Sequence, residues 1–313
     1  MSQPSSEPTQ RSSPGLEGFR SILVPVDLTA ASDRVLARLC LLPLARDAQL
    51  TLLHVVPGSL PVREQRRAEH DARKLLAEET RHVRGLIQHK VRVVPRVEVG
   101  AAAKKIAACA AELKAELIVM GRGGGRAVRE TFLGSTAERV VRQSRRPVLV
   151  VRLPARKPYR RPALALELHA SAHELIRLML RMLPPPRPRL EVIHAFHAPY
   201  HGMVYPSLSV EDAEERELEL RAHAVVKVGK LLSAALEKAN IPPADAPFWN
   251  THVRHGSPRS VVRKAVTRSE ADLLVLGTRG YSGAAYVFLG SVAGELLRAA
   301  PCDVLIVPPA GRA

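Results

Sequence analysis

At 313 residues, 46% hydrophobic and 25% charged, the chain has length for two ordinary cores without disulfide or metal staples. Its 47 Lys and Arg against 30 Asp and Glu leave a formal charge of +17, which draws polyanions. Yet aromatics are only 4% and no nucleic-acid motif interleaves them with the basic blocks 63–67, 142–146 and 156–161, so a nucleic-acid scaffold is the weaker reading.

In chain order, residues 1–18 are rich in Ser, Pro, Gln and Glu and read as a disordered tail rather than a signal peptide. A continuous apolar strand over 21–26 ends at Asp27, and Ser32 is placed to cap a helix with Val35, Leu36, Leu39 and Cys40 on one face. A strand over 50–56, a charged helix over about 63–89 and a strand over 91–99 follow. Gly100 turns into an alanine-rich helix, a strand covers 117–120, and after a glycine-rich stretch and a helix a strand over 147–151 closes the first half. Residues 154–161 have the Pro and charge content of a linker.

The second half repeats this order, with strands over 163–166, 190–195, 249–253, 273–276 and 303–307. Ser257 is the N-cap and Pro258 the first residue of its third helix. Apolar strands alternating with helices imply two tandem open parallel five-stranded sheets covered on both faces, a Rossmann-like α/β fold over 19–153 and 162–313. No apolar run reaches the roughly twenty residues that span a bilayer. The three cysteines, Cys40, Cys109 and Cys302, sit in apolar contexts without CxxC or Cys/His spacing. They read as buried hydrophobes in a reducing cytoplasm.

The duplication is exact in register. Gly100 and Gly256, Gly121 and Gly277, and Gly134 and Gly290 are each 156 positions apart, whereas Asp27 and Glu167, and His54 and His194, are 140 apart. The difference is a net insertion of sixteen residues in the second copy, placed at about 197–212.

Both copies carry G-x2-G-x9-G-S: Gly121, Gly124, Gly134 and Ser135, then Gly277, Gly280, Gly290 and Ser291. A glycine turn after a buried strand, paired with a helix start, lets backbone amides approach an anion, so phosphate is the expected ligand. Ser135 with Glu138 has the spacing of a capping box, and Ser135 and Ser291 read as caps, phosphate donors or both. In a parallel sheet the two glycine segments would face one crevice at the strands' carboxyl ends. There is no G-x4-G-K-[ST] loop and no G-x-S-x-G elbow. His194, His197 and His201 could be pictured around a metal, but His194 matches His54 in a copy lacking the other two, so no metal is expected.

The 24–27 strand end, Leu53-His54-Val55, the repeated grid and the closing strands resemble universal stress proteins, over nearly the whole chain as a tandem. The resemblance implies an ATP-binding, cytoplasmic regulator or adaptor of the stress response, with Mg2+ on the nucleotide, a protein partner and no catalytic residue. A slow ATP-hydrolysing enzyme, with Asp27 or Ser135 positioning water, is the alternative. It assigns Asp27 and Pro25 to the ribose and adenine side, the Val55 backbone to the adenine edge, and Met120, Gly121, Gly124, Gly134, Ser135 and Thr136 to the phosphate side. In the second copy the set is Leu276, Gly277, Gly280, Gly290, Ser291 and Val292, with Ala165, Glu167 and Ala195 replacing Pro25, Asp27 and Val55. The first site is expected to bind ATP more tightly. The resemblance further implies pairing of the two halves through their last strands, 148–151 and 304–307, with a homodimer as the other assembly.

Overall fold

In the first half, β1 (Phe19–Pro25) carries an unbroken apolar run whose alternate side chains enter two cores, Ile22 and Val24 one and Leu23 the other. The computed structural model describes residues 16–87, 90–123, 134–169, 172–197, 210–278 and 289–309. Most of the expected tail and insertion, His201, Gly124 and Gly280 lie outside these residues. After β1 come α1 (Ala30–Cys40), β2 (Leu44–Pro57), α2 (Val62–Leu86), β3 (Arg92–Gly100), α3 (Ala102–Glu112), β4 (Leu117–Gly121), α4 (Ser135–Gln143) and β5 (Val148–Val151). The second half repeats them as β6 (Pro162–Ala165), α5 (Ala172–Met182), β7 (Leu190–Phe196), α6 (Val210–Lys238), β8 (Trp249–His255), α7 (Pro258–Arg268), β9 (Leu273–Gly277), α8 (Ser291–Ala299) and β10 (Asp303–Val307).

The strands form one sheet in the order β3-β2-β1-β4-β5-β10-β9-β6-β7-β8. Each half is parallel, and the halves meet through β5 and β10, which run antiparallel. The two expected five-stranded sheets are thus corrected to a single ten-stranded one, joined by the expected pairing of the last strands, 148–151 with 304–307. β5 and β10 are buried along their whole length, and two apolar edges with free backbone donors and acceptors pair with each other rather than face water. Leu149 lies opposite Leu305, its counterpart at the 156-residue offset, so a pseudo-twofold axis passes through that pair. One face of the sheet is covered by α1, α2, α5 and α6 and the other by α3, α4, α7 and α8.

Local expectations hold where one turn carries the signal. Ser257 accepts from the Ser260 N–H, with Pro258 first in α7, and Gly100 and Gly256 share the left-handed backbone, φ 142° and 132°. Cys109 and Cys302 are buried and Cys40 half-buried, and burial pushes the Cys302 thiol up to about 12.

Other expectations are revised. β2 starts at Leu44, six residues early, because Phe19 pairs with Leu44 across a register shift that carries the polar Arg46 and Asp47 on the strand. α2 ends at Leu86, where Ile87 turns extended. Ser32 is no cap: it lies inside the first turn of α1, and its hydroxyl is taken by Asp27. The Ser135–Glu138 box does not form, since Gly134 is the N-cap with no side-chain bond and Glu138 accepts from Arg142 (2.7 Å) and Arg298 (3.1 Å). Those guanidinium groups offer a carboxylate charge-assisted bonds that a backbone N–H cannot match.

The segment between the halves is pinned rather than loose. Asp272 accepts from the N–H groups of Arg160 (2.7 Å) and Arg161 (3.0 Å), and Tyr159 is buried, its hydroxyl donating to Asp303 (2.8 Å). Burial, with the adjacent Asp303 charge, holds the Tyr159 phenol well above its ordinary pKa.

Candidate functional site

In each half β1 and β4, or β6 and β9, lie side by side while their connections leave toward opposite edges of the sheet. Such a switch point opens a crevice at the strands' carboxyl ends. In the first half the crevice is a cavity of about 480 Å³ reached by the end of β1 (Pro25, Asp27), the end of β4 (Met120, Gly121, Arg122) and Val55, Thr136 and Arg152.

Asp27 is a built anion. Its Oδ1 accepts from the Thr29 hydroxyl (2.8 Å), the Thr29 N–H (3.1 Å) and the Ser32 hydroxyl (2.8 Å), while its own N–H donates to Ser32 Oγ (3.2 Å). Burial pushes the carboxyl up, but the bonds from Thr29 and Ser32 outweigh it and hold Asp27 below the usual carboxylate range. His54 donates from Nδ1 to the Val26 carbonyl (2.9 Å), tying β2 to the end of β1.

Cations line the same cavity: Arg34, Arg122 and Arg152. Arg152 also reaches across the seam to cap the last turn of α8, donating to the carbonyls of Ala300 (3.0 Å), Arg298 (3.2 Å) and Leu297. Burial, then the nearby Arg122 charge, lowers its pKa. Gly134 clasps Arg122, its N–H donating to the Arg122 carbonyl (2.7 Å). A Cβ there would stand 2.9 Å from the Arg122 oxygen and from the Gly123 carbonyl carbon. The chain itself therefore demands glycine at 134, in addition to any ligand.

The second crevice, a cavity of about 260 Å³, is lined by Ala165, Glu167, Ala195, Leu276, Gly277, Gly290, Ser291 and Val292 among others. The clasp is repeated, the Gly290 N–H donating to the Thr278 carbonyl (2.8 Å), and His194 donates to the Leu166 carbonyl (2.8 Å). His194 is thus a buried structural histidine, pushed toward neutrality by that burial.

The structure therefore brings Pro25, Asp27, Val55, Met120, Gly121 and Thr136 together, with Gly134 bonded to the lining residue Arg122, and Glu167, Ala195, Leu276, Gly277, Gly290, Ser291 and Val292 together in the second crevice. Ser135 is the exposed first residue of α4 and does not line the cavity. Sequence reading missed Ser32, Arg34, Arg122 and Arg152. Arg122, inside the grid, carried a local signal; Arg152 carried none, because its place depends on the seam.

The universal stress protein family matches residues 18–152 and again 158–308. A universal stress protein of Thermus aquaticus is 31% identical over 119 residues, 38% of this chain and 77% of that one. In structure, a universal stress protein from Archaeoglobus fulgidus superposes with a TM-score of 0.65 at 18% identity, covering 93% of this chain and 98% of that chain. A Pseudomonas aeruginosa protein gives 0.56 at 16%, covering 93% and 94%. At such identity these structures bear on the fold alone. With two matches that together span nearly its whole length, the chain belongs to the universal stress protein family as a tandem of two domains.

Proposed function

We propose that the first crevice binds ATP, with Mg2+ on its phosphates, and that the protein is a cytoplasmic, nucleotide-dependent regulator or adaptor acting through a protein partner. The observation that carries this is one cavity lined both by the arginines Arg34, Arg122 and Arg152 and by Asp27, whose carboxyl is held below its ordinary pKa. Guanidinium groups suit phosphate oxygens, and a fixed carboxylate suits ribose hydroxyls. Among the described residues no helix is long and apolar enough to cross a membrane.

Slow hydrolysis is the second reading. Asp27 is the one carboxylate among the described residues lining the cavity, and its Oδ1 is engaged by Thr29 and Ser32, which favours binding over turnover. A nucleic-acid scaffold is disfavoured because parts of the basic blocks are neutralised, Arg142 by Glu138 and Arg161 by Glu270. Mass spectrometry of the small molecule released on denaturation tests the reading: intact ATP supports it, and a chain that neither carries nor takes up ATP overturns it. Steady phosphate release above a Gly134→Val control would select the enzyme.

A further inference from the structure

The long helices α2 and α6 occupy corresponding places in the two halves, and the 156-residue offset aligns their buried faces: Ala72 and Leu76 match Val228 and Leu232, all buried. Their outer faces can therefore be compared position by position. In α2 positions 66, 69, 70 and 73 are Arg, Glu, His and Arg, and Glu69 pairs with Arg73 at 2.9 Å. The counterparts in α6 are Ala222, Val225, Val226 and Gly229, all exposed. Leu218, whose counterpart is Val62, extends the run.

Leu218, Ala222, Val225 and Gly229 follow the spacing i, i+4, i+7 and i+11, which places them in one stripe with Val226 beside it. Leu218, Val225 and Val226 are 64%, 44% and 55% exposed. Large apolar groups left contiguous on a surface mark an interaction site.

The stripe is complementary to itself when reversed. Two copies of α6 laid antiparallel with Leu218 opposite Gly229 put Ala222 opposite Val225, so each large residue meets a small one and the faces interdigitate. Gly229 lies inside a helix, where glycine is disfavoured, and nothing stands within 4 Å of where its Cβ would be. Among the described residues no neighbour calls for glycine there; a second helix that seats its own Leu218 in the gap does.

Charge points the same way. Residues 210–219 hold six Asp and Glu against one Arg, and residues 220–238 hold four Lys and Arg against one Glu. Antiparallel pairing sets the acidic part of each helix against the basic part of the other, whereas parallel pairing sets like against like. Glu219 and Lys230, each one residue beyond Leu218 and Gly229, come alongside each other in that register. Within the chain Glu219 accepts from Arg216 at 2.7 Å, an exposed pair weak enough to exchange.

We propose that the exposed stripe of α6 docks on the same stripe of a second copy of this chain, as an antiparallel two-fold pair centred between His223 and Ala224. β5 and β10 already pair with each other inside the chain, so this dimer uses a different surface. The stripe runs along about 18 Å of helix, which places it among small, transient interfaces, and the dimer dissociates on dilution. The inference is independent of what either crevice binds.

Sedimentation equilibrium of the full chain over a range of concentrations tests this, and a reversible monomer–dimer equilibrium is expected. Val225→Glu should weaken dimerisation at least about tenfold, because it buries an unpaired charge against the partner, with circular dichroism and melting temperature nearly unchanged. Gly229→Leu fills the gap that receives Leu218, so it should weaken dimerisation similarly while raising the melting temperature, since Leu is the better helix former. Lys230→Glu should weaken it about twofold to fivefold, and adding Glu219→Lys to the same chain should restore it; absence of that rescue overturns the antiparallel arrangement. A chain that stays monomeric at the highest concentration overturns the inference, as does a dimer indifferent to Val225→Glu or to Gly229→Leu. A monomer whose melting temperature falls with Val225→Glu assigns the stripe to this chain's own residues, such as 198–209 outside the described ones, and also overturns it. If Val225→Glu does not fold, Gly229→Leu decides alone.

Discussion

Arg38 and Asp303, 265 residues apart, form an ion pair of 3.1 Å inside the seam between the two halves, where Asp303 is 0% exposed. The other acceptor sites of Asp303 are filled by the Tyr159 hydroxyl and by the N–H groups of Arg152 (2.7 Å) and Leu153 (2.9 Å). The Arg38 guanidinium stacks 4.0 Å from the centre of the Tyr159 ring. One carboxylate thus joins α1, the end of β5, the connecting segment and β10.

Removing it leaves a buried guanidinium and two part-buried backbone donors without their acceptor. Asp303→Ala should cost about 3–5 kcal/mol of stability, the usual penalty for orphaning half of a buried pair. Denaturant unfolding measures this, and a loss below about 1 kcal/mol, the scale of an exposed pair, would show that the seam does not depend on this node.

Gly134→Val places a branched side chain against backbone that cannot move aside cheaply, the Arg122 oxygen and Gly123. Overpacking of this kind costs roughly 1–3 kcal/mol, so ATP affinity at the first crevice should fall by about tenfold to a hundredfold. Helical content by circular dichroism should be nearly unchanged, because α4 begins after this residue. Unaltered ATP binding in the variant would defeat the assignment of the clasp.

Asp27 and Glu167 should titrate in opposite senses. The Asp27 pKa is lowered in the folded chain, so its contribution to stability is complete above the ordinary carboxylate range and is lost as pH falls through the lowered value. The Glu167 pKa is raised, so the folded state prefers its protonated form and stability falls as pH rises from the ordinary range through the raised value. Comparing pH-dependent unfolding of Asp27→Asn and Glu167→Gln with the parent separates the two slopes, and slopes of the same sign would contradict the hydrogen-bond assignment. Asp27→Ala should also weaken ATP binding more than Glu167→Ala does; equal losses would reverse that ranking.

Without its partner, each half presents β5 or β10 as an open apolar edge. Halves expressed separately should self-associate through that edge or aggregate, as light scattering after gel filtration would show. Two halves that stay monomeric and soluble at high concentration would mean the seam contributes little.

Much of this architecture is legible in the chain. Strands buried on both faces must be apolar along their length, so 117–120 and 273–276 announce themselves. The left-handed turns at Gly100 and Gly256 and the close approach at Gly134 require glycine, so the 156-residue offset appears as glycines. The Ser257–Pro258 helix start is equally local. These signals need only a residue's own segment.

The groups that give the crevices their character are set by distant chain. Arg152 reads as one more arginine after a strand until β10 arrives alongside and α8 offers its carbonyls, and Asp303 reads as a polar interruption until Arg38 and Tyr159 meet it. Ser32 has the sequence of a cap, yet Asp27 takes its hydroxyl because the turn after β1 brings a full negative charge within 2.8 Å. The merging of two five-stranded sheets into one likewise depends on which edges meet. Local periodicity records whether a side chain is buried; which charge stands opposite it is decided by strand order, and so the place of Arg152 at the first crevice emerges only once β5 and β10 are side by side.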